Sequence, residues 1–118
     1  MKTYADLVAA AKARIREVPP QEVAEMLRAP ERPVVIDLRE PNEWNLGHLP
    51  GALHIPRGRL ESQIEARVKR DQPVVVYCQG GSRSALAADT LREMGYEHVV
   101  SMAGGFRDWA IGGHEVEG

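Results

Sequence analysis

The chain contains a single cysteine, Cys78, and the residues after it, Gln79-Gly80-Gly81-Ser82-Arg83, bring a glycine pair, a hydroxyl and a cation within six consecutive positions. On count alone such a cysteine is a packing residue, because free cysteines are among the most buried residue types. Its position argues otherwise. Cys78 ends the strongly β-branched run Pro73-Val74-Val75-Val76-Tyr77, and the loop after it enters a helix that starts near Ser84. For the sulfur this has three consequences. A side chain on a loop rim is expected to be exposed. Gly80 and Gly81 can take backbone conformations closed to other residues, so that successive amides point inward as an anion nest. The helix behind the loop aims its unsatisfied amides and positive dipole end at the same place. All three favour the thiolate, the nucleophilic form of cysteine, with no histidine base beside it.

A second polar cluster leaves another apolar run: Val34-Val35-Ile36 delivers Asp37 and Arg39 at its C-terminal end, with Glu43 shortly after. These three read as a structural ion-pair set bracing the loop rim, since ion-pair networks often mimic functional clusters. Arg83 either supplies positive charge to an anionic substrate or turns away to pair with Asp37, and both readings stay open. The lone thiol can form no internal disulfide and cannot supply the several thiolates of a usual structural zinc site, so a reduced, cytoplasmic setting is expected. His54, His98 and His114 lack ligand spacing with one another or with Cys78, so no metal centre is expected. His48 is read as a hydrogen-bonding structural residue, and Trp44 and Trp109 as packing residues.

The elements that must hold these clusters alternate along the chain. Thr3 with Asp6 three residues on caps a helix from Thr3 to about Ala13, whose Tyr4, Leu7, Val8 and Ala11 recur at helical spacing. A strand from Ile15 to Val18 stops at Pro19-Pro20, and Pro20 opens a second helix carrying Val23, Met26 and Leu27 on one face. Strands are expected at Val34–Ile36, Ala52–Ile55, Pro73–Tyr77 and His98–Met102. Helices are expected where Leu60, Ile64 and Val68 step by four, from Ser84 to Met94, and from Phe106 to Ile111. The glycine- and glutamate-containing tail beyond is expected to fray. Strands alternating with helices imply βαβ units, hence an α/β fold with a mostly parallel sheet of about five strands and helices on both faces. Ligands of such sheets bind beyond the carboxyl ends of the strands, the edge where both polar clusters lie.

Composition narrows the partners. At 118 residues and 13.1 kDa there is room for one compact domain, and 15 Lys plus Arg against 17 Asp plus Glu leave a net charge of −2. No strong field draws such a chain to nucleic acid or to an anionic membrane. No apolar run approaches the roughly 18 residues of a spanning helix, and the N-terminus lacks the apolar core of a signal peptide.

The segment Cys78-Gln79-Gly80-Gly81-Ser82-Arg83-Ser84 resembles the active-site loop of the rhodanese family of sulfurtransferases, whose single-domain members often carry Cys-x-x-Gly-x-Arg there. Val35-Ile36-Asp37-Leu38-Arg39 with Glu43-Trp44 and Gly47-His48-Leu49-Pro50-Gly51-Ala52 resembles the family's N-terminal signature, and Gly104-Gly105 followed by Trp109 its C-terminal one. The similarity runs from about Ile15 to Ile111, so residues 1–14 read as a helical extension and 15–118 as a single rhodanese-like unit. The resemblance implies that Cys78 takes sulfane sulfur from a donor such as thiosulfate and passes it, through a persulfide, to cyanide or a thiol. It further implies that Gln79, Gly80, Gly81, Ser82 and Arg83 form the substrate loop, with Asp37 and Arg39 in support and no cofactor. A persulfide carrier serving a protein partner fits the same residues, because the neutral positions Gln79, Gly80 and Ser82 add no cation beside the sulfur. Rhodanese-related phosphatases and arsenate reductases fit less well. They generally place five residues between cysteine and arginine, against four here, and usually have histidine where this chain has Tyr77. With no second cysteine to resolve it, a persulfide on Cys78 is expected to discharge to an external acceptor.

Overall fold

Strands with no polar alternation must be covered on both faces. Val34–Asp37 (β2) and Val74–Tyr77 (β4) are two such strands, and in the computed structural model, which describes all 118 residues, they pair in parallel at the middle of a five-stranded sheet. With Arg16–Val18 as β1, Leu53–His54 as β3 and Val99–Met102 as β5, the strand order is β1-β5-β4-β2-β3, and every pairing is parallel. Successive side chains alternate between two cores. Ile36, Val74 and Val76 face Leu60, Ile64, Val68 and Leu91 on one side, while Val35, Val75 and Tyr77 face Val23 and Trp109 on the other. Fully burying each such aliphatic side chain is worth about 1.5–3 kcal/mol.

The first side is covered by Leu60–Gln63 (α4) and Ser82–Glu93 (α5), the second by Pro20–Arg28 (α2) and Gly105–Ile111 (α6). Tyr4–Arg14 (α1) starts from a reciprocal cap: Thr3 Oγ1 accepts from the Asp6 amide at 3.1 Å and the Asp6 carboxylate accepts from the Thr3 amide at 3.0 Å. It lies against α5, with Ala11 buried and Arg14 donating through Nε and Nη2 to both oxygens of Asp89 at 3.0 and 2.7 Å. Its apolar stripe is only partly used, for Tyr4 and Leu7 remain 57% and 46% exposed.

Three details depart from the sequence reading. Leu60, Ile64 and Val68 all reach the core, but the segment is a one-turn helix flanked by 3₁₀ turns at Arg57–Arg59 and Ile64–Ala66 rather than one continuous helix. A further short helix, Pro41–Asn45 (α3), follows β2; Pro41 opens it and the Glu43 carboxylate accepts from the Glu40 amide at 3.1 Å. The tail does not fray. Glu117 and His48 exchange two backbone hydrogen bonds of 2.9 Å, the Glu117 carboxylate accepts from the Gly51 amide, and Trp109 Nε1 donates to the Glu115 carbonyl at 2.8 Å.

The register decides what meets at the carboxyl edge. Asp37 pairs with Tyr77 across β2 and β4, and the Leu38 amide donates to the Tyr77 carbonyl at 2.9 Å, so Asp37-Leu38-Arg39 runs beside Tyr77-Cys78.

Candidate active site

Cys78 leaves β4 at the centre of the sheet, and the loop after it folds back over the sulfur. Gly81 stands at φ +101°, a left-handed conformation natural to glycine, and sets the N-terminus of α5. The turn brings the Gly81 amide to 3.1 Å and the Ser84 amide to 3.3 Å from Sγ, both donating to it. The thiol lies 3.6 Å from Ser84 Oγ, which donates to the Gly81 carbonyl at 3.2 Å and accepts from the Ser101 hydroxyl at 2.8 Å. Ser84 and Ser101 are fully buried. Two main-chain donors converging on one sulfur suit a sulfur anion, and fixed donors need no rearrangement when charge develops there.

The expected exposure of Cys78 does not hold: the residue is 1% exposed. The loop that folds back over the sulfur covers it, with the Gly81 and Ser84 amides against Sγ, and α6 holds that loop in place. Phe106 and Arg107 amides donate to the carbonyls of Cys78 and Gln79 at 2.9 and 3.1 Å, clamping the loop from behind. Gly105, at φ +58°, permits this contact, since a β-carbon there would stand 2.4 Å from the Cys78 oxygen. Gly80, by contrast, has no positive φ, so of the glycine pair only Gly81 needs its special backbone freedom.

Of the remaining loop residues, Gln79, Ser82 and Arg83 are half-buried and Gly80 is exposed. Asp37 and Arg39, 0% and 2% exposed, form a buried pair with Arg39 Nη2 donating to Asp37 Oδ2 at 2.9 Å. Arg39 also donates to the Gly47 carbonyl at 2.5 Å and to Gln79 Oε1 at 3.2 Å, and its guanidinium lies 4.1 Å from the centre of the Phe106 ring. The pair thus ties β2 to the loop after Cys78. The Tyr77 hydroxyl donates to Asp37 Oδ2 at 2.5 Å and accepts from the Leu49 amide at 3.1 Å. Burial, and then the adjacent Asp37 carboxylate, push this phenol well above the ordinary tyrosine range.

One of the two readings of Arg83 falls away here, and the grouping of Glu43 with Asp37 and Arg39 is corrected. Asp37 is taken by Arg39 and Tyr77, so Arg83 does not pair with it. Glu43 caps α3 rather than joining the Asp37–Arg39 pair. Glu43 instead helps line a groove of about 380 Å³ beside the loop, with Arg39, Leu46, Gln79 and Phe106. Trp44 packs between two imidazoles, 3.5 Å from His48 and 4.8 Å from His54 between ring centres. His54 Nε2 donates to the Arg39 carbonyl at 2.7 Å, and His48 Nδ1 lies 3.1 Å from that of Leu49, both structural contacts.

Residues 19–111 match the family described as the rhodanese-like domain. The chain belongs to that family. A putative sulfur carrier protein of Bacillus subtilis, YrkF, is 35% identical over 75 residues, which are 64% of this chain and 40% of that protein. The chain spans 59% of the length of YqhL, another Bacillus subtilis relative, and 26% of that of MoeZ, a probable adenylyltransferase/sulfurtransferase of Mycobacterium tuberculosis. A Rhodopseudomonas palustris protein of unknown function, described as a possible tyrosine phosphatase, superposes with a TM-score of 0.90 at 31% identity over 99% of this chain and 96% of its own. The polysulfide-sulfur transferase homodimer of Wolinella succinogenes gives 0.80 at 32% identity over 93% of this chain and 83% of its own. The rhodanese-like match begins within the Pro19-Pro20 turn, so α1 and β1 precede it.

Ser84 and Ser101 escaped the sequence reading. Ser84 sits one residue past the arginine of the motif, and a serine in the first turn of a helix that follows a cysteine loop was the available signal; nothing in the sequence marked Ser101.

Proposed function

We propose that the protein is a sulfurtransferase that holds the transferred sulfur on Cys78. The observation that carries this reading is the convergence of the Gly81 and Ser84 amides on the sulfur of the only cysteine, at the carboxyl end of the central strand. The Cys78 thiolate attacks the outer sulfur of a donor such as thiosulfate. A sulfur–sulfur bond forms to Cys78 as the donor's own breaks, and its electron pair leaves with sulfite. Cyanide or a thiol then attacks the terminal sulfur of the persulfide, and the electron pair of the second broken bond returns to Cys78. The chemistry is covalent catalysis in two steps, with no net redox change and no metal or organic cofactor. Gly81 and Ser84 donate to the sulfur, Gln79, Gly80, Ser82 and Arg83 form the wall of the approach, and Asp37 and Arg39 hold the neighbouring strand end and Gln79 in place. Residues 15–118 form the working unit and residues 1–14 an extension docked on α5.

A second reading, a persulfide carrier serving a protein partner, is supported by the likeness to a putative sulfur carrier and by the neutral loop positions beside Cys78. Steady-state transfer measured with thiosulfate, a small-molecule persulfide and a persulfidated protein as donors separates the two. Turnover with thiosulfate favours the enzyme, and transfer confined to the protein donor favours the carrier. Cys78→Ser is expected to abolish both; retained transfer would overturn the mechanism. The phosphatase reading predicts hydrolysis of aryl phosphates and no sulfur on Cys78, against which stand the four residues between Cys78 and Arg83.

A further inference from the structure

Three arginines lie at or beside the loop, and they are not equally available to a substrate. Arg39 is spent on Asp37, the Gly47 carbonyl and Gln79. Arg83 is half-buried in the first turn of α5. Arg107 differs from both. Its main-chain amide is bonded to the Gln79 carbonyl at 3.1 Å, which fixes the base of the side chain against the loop. The side chain is 60% exposed, and only Nε is engaged, donating to Asp108 Oδ1 at 3.3 Å. Nη1 lies 4.0 Å from the point where a β-carbon on Gly80 would stand, and apart from the neighbouring residues of the loop no other heavy atom comes as near to that point. Gly80 has no positive φ, so its backbone would accept a side chain. A β-carbon at Gly80 would meet the guanidinium only at ordinary contact distance, so the loop lies open beside Arg107 at this position.

We propose that Arg107 is a substrate-binding residue, whose guanidinium at the open side of Gly80 receives the anionic end of the sulfane-sulfur donor while the outer sulfur goes to Cys78. This rests on the sulfurtransferase reading and deepens it, because it names the side chain that meets the anionic end of such a donor. The loop residues Gln79 to Ser82 carry no charge, so the selectivity for an anion falls to the arginines beside them, Arg83 at the end of the loop and Arg107 reaching in from α6.

The test uses the full chain, with its one cysteine as reporter, in the wild type, Arg107→Gln and Arg107→Lys. Alkylation of Cys78 is timed with iodoacetate, an anion, and with iodoacetamide, its neutral counterpart of similar size. One solvent-exposed, partly screened charge is worth about a two- to fivefold change in rate. Arg107→Gln is expected to slow iodoacetate by that factor and leave iodoacetamide unchanged, with Arg107→Lys recovering most of the difference and added salt erasing it. The KM for thiosulfate should rise by a similar factor with kcat held. An unchanged iodoacetate-to-iodoacetamide ratio, or an equal fall in both rates, overturns the assignment. Failure of the sulfurtransferase reading looks different: wild-type protein takes up no sulfur from thiosulfate, whatever the alkylation ratio does.

Discussion

Replacing Gly105 with alanine tests how the sulfur cradle is built. The new β-carbon would lie 2.4 Å from the Cys78 carbonyl oxygen and 2.7 Å from both the carbonyl carbon and oxygen of Gln79, where ordinary contact begins at 3.4 Å. These are backbone atoms of the loop itself and cannot rotate aside. The left-handed backbone at φ +58° adds a conformational cost of about 1–2 kcal/mol for any residue with a β-carbon. Relieving the overlap by shifting the loop adds about 1–3 kcal/mol more, as overpacking does elsewhere. The sum, about 2–5 kcal/mol, corresponds to a fall in Tm of roughly 10–20 °C for a domain of this size. The shift would also draw the Cys78 and Gln79 carbonyls off the Phe106 and Arg107 amides, so sulfur loading should slow even in the fraction that remains folded. Gly80→Ala is the matched control. With no positive φ and only Arg107 Nη1 within 4.0 Å, it should leave Tm within about 2 °C of wild type. Thermal unfolding by circular dichroism, paired with single-turnover sulfur loading, reads both effects. Wild-type Tm and wild-type loading in Gly105→Ala would refute the claim that α6 clamps the loop.

Two further variants probe the supports. Tyr77→Phe removes the hydroxyl that donates to buried Asp37 and accepts from the Leu49 amide, and should cost about 1–3 kcal/mol in urea unfolding; no loss would mean these groups find other partners. Asp89→Asn should weaken the docking of α1 on α5 and speed amide exchange in α1 with little change in β4. The Arg14 hydrogen bonds hold the Asp89 carboxyl below the ordinary carboxylate range, against the opposing effect of burial. A group with a depressed folded value contributes stability above its unfolded pKa of about 3.9, and that contribution is lost as pH falls through the folded value. The stability gap between wild type and Asp89→Asn should therefore be open at neutral pH and close as pH falls through the lowered folded value of Asp89, and a gap independent of pH would contradict the pairing.

The parts legible in sequence are those set by local pattern. β2 and β4 announce themselves by β-branched runs without polar alternation, and their carboxyl ends bring Asp37 and Cys78 to one edge as expected. The Thr3 and Asp6 cap and Pro20 at the start of α2 follow from side-chain and ring geometry alone. What escaped depends on long-range closure. Cys78 is buried because the loop closes over its sulfur, and α6 holds that loop through the close approach at Gly105, a contact between residues far apart in sequence. Ser101 reaches Ser84 only because β5 lies next to β4. The tail is held by a bridge to His48 that no turn or hydrophobic signal marks. Glu43 was grouped with Asp37 and Arg39 by nearness in sequence, yet the Glu40 amide, three residues away at the start of α3, was the donor within its reach.

The central claim is that Cys78 is the atom on which sulfur travels, and that, as the only thiol, it must hand that sulfur to an outside acceptor. Intact-mass measurement of the protein after treatment with thiosulfate or a persulfide donor and removal of excess reagent addresses it directly. The account predicts the gain of one sulfur atom, located on the Cys78 peptide, stable on standing and lost on addition of cyanide or a thiol with formation of the matching thiocyanate or persulfide. A protein that gains no sulfur from any donor, gains it at another residue, or carries it equally well as Cys78→Ser would contradict the account.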